Sequence, residues 1–180
     1  MNKGIETSLY ILLGLILVAF IINTVINIFI SSTESTPKNH LKKIVYIISP
    51  KPNSKIVDLG SGAGSFIRVI VQNTTNSKVV GYEISPIMGL LSKWRFLLLR
   101  GKRRNKNRIV ILIENFLAAD LRGADYLFLH LPQRIVDLFE HKAERLINNG
   151  SRIYIYNKKF KTIKPVREHI LDESTKLYEY

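Results

Sequence analysis

The sequence predicts an α/β domain, a parallel sheet with helices on both faces, preceded by one N-terminal transmembrane helix. Three observations predict it. Apolar runs of strand length alternate with stretches of helical periodicity from residue 55 to residue 156, as βαβ units require. The first run, Lys55-Ile56-Val57-Asp58-Leu59, breaks into Gly60-Ser61-Gly62-Ala63-Gly64, the pattern of a buried strand turning sharply into a helix. Leu9–Ile30 is an uncharged, largely apolar run of 22 residues near the start of the chain.

Residues 9–30 match the roughly 20 residues that a bilayer core requires, and only Gly14, Asn23, Thr24 and Asn27 interrupt their apolar character. A secretory signal would carry a shorter apolar core and a small-residue cleavage site, and Ser31-Ser32-Thr33-Glu34-Ser35-Thr36-Pro37 offers none. Lys3 precedes the run, while Lys38, Lys42 and Lys43 follow it. That bias predicts a single-pass membrane protein with its C-terminal domain on the cytoplasmic side. Residues 31–40 read as a polar linker and residues 41–180 as the domain.

Within the domain, Leu41, Ile44, Val45 and Ile48 recur at helical spacing before Pro50. A strand is expected at about 55–60, a helix from Ser65 burying Phe66, Ile67, Val69 and Ile70, and a second strand at 78–83. Ser85-Pro86 suits a helix start, a capping hydroxyl followed by proline in the first turn. That helix should run to about Arg100, with Ile87, Leu90, Leu91, Trp94, Leu97 and Leu98 facing the core, and end at Gly101. Strands at 108–113 and 125–130 follow, then a helix stopping at Asn149-Gly150 and a strand at 151–156. The last 24 residues leave room for one or two further strands, and Thr175–Tyr180 alternates like an edge strand.

Composition narrows the function. The chain of 180 residues has no cysteine, which excludes a disulfide framework and cysteine metal sites. No His/Asp/Glu group has metal-ligand spacing, and no G-x-S-x-G nucleophile turn occurs. The net charge of +13 lies wholly in residues 41–180, which hold 25 basic and 12 acidic residues. Lys93, Arg95, Arg100, Lys102, Arg103, Arg104, Lys106 and Arg108 form its densest part, with no carboxylate between Glu83 and Glu114. A solvated helix end would look like this. So would a segment drawn to anionic lipid headgroups or to nucleic acid, although the aromatic interleaving of single-strand platforms is sparse.

The glycine spacing speaks to the ligand. Dinucleotide sites read G-x-G-x-x-G and set a pyrophosphate at a helix N-terminus. Here the spacing is G-x-G-x-G, and Asp58 stands two residues before Gly60. A carboxylate repels pyrophosphate and attracts a cation, so a ligand carrying ammonium and sulfonium groups fits better. Glu83 follows Gly62 by 21 residues at the tip of the second strand, where a carboxylate reaches ribose hydroxyls.

These residues resemble motif I and the second-strand acid of class I S-adenosylmethionine-dependent methyltransferases, which have a Rossmann-like sheet. The resemblance implies S-adenosyl-L-methionine as cofactor, held by Asp58, Gly60, Ser61, Gly62, Gly64 and Glu83. Ile84 or Phe116 would pack on adenine, and Asn115 would bond its amino edge. Combined with the anchor, Val57–Gly62, Gly81-Tyr82-Glu83 and Pro132-Gln133 resemble a narrower family. It comprises membrane-anchored protein-lysine methyltransferases acting on ATP synthase c-subunit and the adenine nucleotide translocase, with prokaryotic relatives. That resemblance covers residues 40–180 and implies a protein-lysine N-methyltransferase with a membrane-associated protein substrate. His130 and Gln133, at the end of the fourth strand, are the candidate catalytic residues. The chain departs from the family at Ala63 and Ser65, often Asp and Arg there, at Asn115, often Asp, and at His130, where an apolar residue is usual. Transfer to a lipid, small molecule or RNA, and a non-catalytic anchored binding module of the same fold, are alternative functions.

Overall fold

The computed structural model describes residues 3–31, 35–99 and 108–180, with helix side chains at 3, 5–7, 23–31 and 98–99 outside the description. The chain divides into two compact units, Met1–Glu34 and Ser35–Tyr180.

The described residues of the first unit form one helix, α1 (Lys3–Ser31). Every large apolar side chain described from Leu9 to Ile22 is at least 51% exposed. Among the described residues, no helix is long and apolar enough to cross a membrane. Of the expected span 9–30, the side chains of residues 23–30 lie outside the described set.

The second unit is a seven-stranded sheet in the order β3-β2-β1-β4-β5-β7-β6. Its strands are β1 (Lys55–Leu59), β2 (Lys78–Glu83), β3 (Arg108–Ile113), β4 (Tyr126–Leu129), β5 (Arg152–Tyr156), β6 (Arg167–Ile170) and β7 (Lys176–Glu179). The first five are mutually parallel, and β7 runs antiparallel to both β5 and β6. Strand order reverses between β1 and β4, and ligands of such sheets bind outside the C-terminal ends of the strands at that switch point.

Alternation along the strands builds two cores. Ile56, Tyr126, Phe128 and Tyr154 face α2 (Lys38–Ile48) and α3 (Ser65–Ile70), with Phe66 stacked on Phe128 at 4.3 Å. Val57, Leu59, Leu127, Leu129 and Ile153 face α5 (Gln133–Asn148), whose Val136, Phe139, Ala143 and Leu146 are buried. A fully buried side chain of this kind contributes about 1.5–3 kcal/mol, so both faces of the sheet are fixed and its register cannot slip.

Two features depart from expectation. The linker gives way to the domain earlier than expected: α2 begins at Lys38, and Thr36 and His40 are already buried. Between β3 and β4, where no helix is expected, residues 114–125 run in turns and irregular segments. On α4 (Pro86–Leu99) the burial is largely reversed, with Leu91 half-buried. The Leu98 side chain, the expected stop at Arg100-Gly101 and the basic residues Lys102 to Lys106 lie outside the described residues. Met88, Ser92 and Phe96 are buried, whereas Ile87, Leu90, Trp94 and Leu97 are exposed. The physical reason is size. A Cβ at Gly89 would come within 2.6 Å of Ile113 Cγ1, so the small residues Gly89 and Ser92 mark the side on which α4 can approach the sheet closely. Apolar residues occur on both sides of this helix, and periodicity alone could not choose between them.

Candidate active site

β1 ends in a turn that is held from below. The backbone N–H groups of Gly60 and Ser61 both donate to Tyr82 O at 2.9 Å, Gly62 N donates to Glu83 Oε2 at 2.7 Å, and Gly64 N donates to Ser61 O at 2.8 Å. Gly60, Gly62 and Gly64 all take positive φ, the region that glycine enters without penalty. Gly60 and Gly64 have a second reason to lack a side chain. A Cβ would lie 2.5 Å from Leu131 Cδ2 at Gly60 and 2.5 Å from Phe96 Cε2 at Gly64, whereas Gly62 faces open space.

With these amides turned inward, the loop is no anion cradle, and its remaining polar feature is acidic. Asp58 is 3% exposed and Glu83 6%. Asp58 lies in register with Gly81 on β2 and Phe128 on β4. Burial, and then the Glu83 charge, push the Asp58 carboxyl up to about 8. Glu83 is fixed by its two oxygens: Oε2 accepts from Gly62 N and Oε1 from Ser85 N at 2.8 Å. One carboxylate therefore ties the glycine turn to the start of α4.

The other predicted cofactor residues divide. Ile84 follows Glu83 and is 69% exposed, open to a flat apolar ligand. Asn115 is exposed, and its Oδ1 accepts from Leu117 N at 3.0 Å in a local turn. Phe116 is instead a core residue, 8% exposed and packed edge-on against Phe139 at 5.7 Å. The backbone of Ser61 is part of the turn, its N–H donating to Tyr82 O and its carbonyl accepting from Gly64 N. Its Oγ is buried, and a Cβ on Gly81 would sit 2.8 Å from it.

At the ends of β4 and β5 the structure brings together residues that sequence reasoning did not connect. His130 Nδ1 is 2.8 Å from Thr36 Oγ1, and its ring packs on Tyr156 at 4.4 Å. Tyr156 Oη lies 2.8 Å from His40 Nδ1, and His40 Nε2 lies 2.9 Å from Asp172 Oδ2. A carboxylate accepts, so Nε2 of His40 carries a hydrogen; in a neutral ring Nδ1 then accepts from the Tyr156 hydroxyl. This Asp172–His40–Tyr156 chain buttresses His130 from the side of the β6–β7 turn. Gln133 plays a different part: its Nε2 donates to Asp137 Oδ1 at 2.8 Å and to Lys159 O at 2.9 Å, bracing the start of α5.

No protein-family model matches the chain, and no curated protein does. Solved structures do match. An RNA methyltransferase from Salinibacter ruber in complex with S-adenosyl-L-homocysteine superposes with a TM-score of 0.64 at 18% identity, over 81% of this chain and 92% of that one. A SAM-dependent O-methyltransferase from Thermotoga maritima gives 0.61 at 16%, over 82% and 66%. Magnesium protoporphyrin IX methyltransferase from Synechocystis PCC 6803 with bound SAM gives 0.60 at 12%, over 79% and 77%.

The domain has the S-adenosylmethionine-dependent methyltransferase fold.

The turn 60–64, Asp58 and Glu83 thus lie together at the C-terminal ends of β1 and β2, and His130 and Tyr156, with Thr36 bonded to His130, stand at the ends of β4 and β5. Among the described residues, no group of His, Asp and Glu could hold a metal ion. Lys142 is a further residue that the sequence did not flag. Its ammonium reaches back from α5 to the carbonyls of Phe116 and Leu117 at 2.9 and 3.1 Å, and to that of Ala119. It thereby secures the helix-free crossing that carries Asn115. Burial lowers its pKa from the ordinary lysine value. A lysine ten residues into an amphipathic helix ordinarily points to solvent, so the sequence held no sign of this.

Proposed function

We propose that this chain is a membrane-anchored S-adenosylmethionine-dependent methyltransferase that modifies a lysine of a membrane or membrane-associated protein. The observation that supports the cofactor is the pair of buried carboxylates, Asp58 and Glu83, beside a glycine turn whose amides at 60, 61, 62 and 64 are already bonded within the protein. Pyrophosphate would meet the Glu83 carboxylate, a buried Asp58 carboxyl that it would keep from ionising, and no donor among those four amides. A ligand with an ammonium group and ribose hydroxyls meets two acceptors. Asp58 would hold the methionine ammonium, Glu83 the ribose hydroxyls, Ile84 the adenine face and Asn115 its amino edge.

Bound there, the cofactor supplies a methyl group activated by its sulfonium. What remains for the chain is to align a nucleophile in line with that methyl. An amine must first lose its proton, which desolvation favours by lowering its pKa. His130, fixed between Thr36 and Tyr156, stands where it would position such an amine. Purified full-length chain should transfer label from S-adenosylmethionine to a protein band in native membranes, recovered as methyl-lysine after hydrolysis. Label appearing in RNA or lipid would replace lysine with that substrate. Binding of NAD but not S-adenosylmethionine in calorimetry would end the methyltransferase reading.

Support for the anchor comes from the uncharged run 9–30 and the exposed apolar side chains of α1 from Leu9 to Ile22. With Lys38, Lys42 and Lys43 following the run, the domain lies on the cytoplasmic side. Protease added to intact cells should leave residues 41–180 uncut, and carbonate washing should not release the chain. Cleavage from outside reverses the orientation, and release by carbonate removes the span.

A further inference from the structure

The outer face of α4 is apolar where a surface helix is ordinarily polar. Leu90, Trp94 and Leu97 are 60%, 59% and 62% exposed, and Ile87 46%. At about 100° per residue, these four lie opposite Met88, Ser92 and Phe96, the buried stripe toward the sheet. Lys93 and Arg95, both exposed, border the stripe on either side. No carboxylate occurs from Ile84 to Ile113.

An apolar stripe containing tryptophan, edged by cations and free of acids, is the make-up of a helix that lies in a membrane interface. Such a helix buries its apolar side chains about 5–10 Å into the headgroup–acyl boundary. Charge decides against a second copy of the chain. Two stripes meeting face to face would oppose Lys93 and Arg95 to their own duplicates, with no acid on α4 to answer them. An anionic bilayer answers both the cations and the apolar stripe.

We propose that α4 is an interfacial helix that seats the domain on an anionic bilayer through Ile87, Leu90, Trp94 and Leu97, with Lys93 and Arg95 at the headgroups. The proposal rests on the anchored reading in one respect. Four apolar side chains bind a membrane weakly alone, and a tether supplies the effective concentration that makes such contact persistent. The inner face of the same helix supports the cofactor end, since Ser92 and Phe96 line the space at Gly64 and Arg95 Nη1 reaches Ala63 O at 3.4 Å. Lipid contact and the glycine turn therefore share one element.

Trp94 is the chain's single tryptophan, so its emission reports this face without a label. The full chain is reconstituted into vesicles of phosphatidylcholine and phosphatidylglycerol, with ordinary or brominated acyl chains. Trp94 emission should shift to shorter wavelength in ordinary lipid, be mostly lost in brominated lipid, and resist aqueous iodide. In the double variant Leu90→Glu/Leu97→Glu, which leaves the buried stripe intact, emission should return to longer wavelength, survive bromination and yield to iodide. Wild-type emission that is quenched by iodide and indifferent to bromine overturns the proposal. So does shielding that follows protein density rather than bromination, which would mean that a second copy covers the face. Flotation of the same vesicles separates the two readings. A chain that floats with unquenched Trp94 keeps its anchor and loses the α4 contact, and a chain that does not float loses both.

Discussion

Affinity for S-adenosylmethionine should rise about tenfold per pH unit from about pH 6 to about pH 8 and then level off. The cause is Asp58. In the ligand-free domain its burial, and then the charge of Glu83, hold the carboxyl in its protonated form up to about 8. The methionine ammonium binds the carboxylate and not the acid, so binding at neutral pH must expel a proton. Each unit below the ligand-free pKa makes that expulsion about 1.4 kcal/mol harder. Calorimetry in two buffers of different ionisation enthalpy reads the released proton directly. Asp58→Asn should remove both the proton release and the slope. Stability carries the opposite sign. A carboxyl whose folded pKa is raised contributes stability that is complete below the unfolded value of about 3.8 and is lost as pH rises through about 8. The ligand-free Asp58→Asn domain should therefore melt above wild type at pH 8, and saturating ligand should narrow the difference. Affinity that is flat with pH and no proton release would remove Asp58 from the site.

Glu83→Ala should weaken cofactor binding by more than tenfold and also lower the melting temperature. Two effects combine. A charge-assisted hydrogen bond to the ligand contributes about 1.5–3 kcal/mol, tenfold or more in affinity. The same carboxylate holds Gly62 N and Ser85 N, and its removal orphans both amides, at about 1–3 kcal/mol for each that stays dry. Glu83→Gln separates the contributions. Its single carbonyl oxygen retains one of the two backbone bonds, so it should recover part of the thermal stability but little of the affinity. Unchanged affinity in both Glu83→Ala and Asp58→Ala would place the cofactor elsewhere.

The parallel part of the sheet was legible because β1 to β5 are mostly apolar runs, broken by Asp58, Gly81 and Glu83 near the C-terminal ends of β1 and β2, as strands covered on both faces must be. Lys78–Glu83 and Arg108–Ile113 fall where the periodicity placed them. The cofactor end was legible for a related reason: a turn that needs three positive-φ residues leaves glycine at each. What failed were choices that depend on close packing. α4 has apolar residues on both sides, and only the approach of Gly89 to Ile113 fixes which side is buried. Phe116 reads equally well as ligand platform or core until Phe139 is seen against it. The Asp172–His40–Tyr156 chain joins residues separated by up to 132 positions, and no local pattern announces such a meeting.

Thr36 and His40 turn the domain's entry segment into a working part. Thr36 fastens His130, and His40 fastens Tyr156 and Asp172. A shortened version begun at residue 41 would keep every strand and the apolar face of α2, so it would express and give the spectrum of a folded protein. It would nevertheless have lost both clamps over the ends of β4 and β5. Silence from such a fragment in an activity screen would report the cut and not the enzyme, and the useful boundary for crystallisation or assay lies before Ser35.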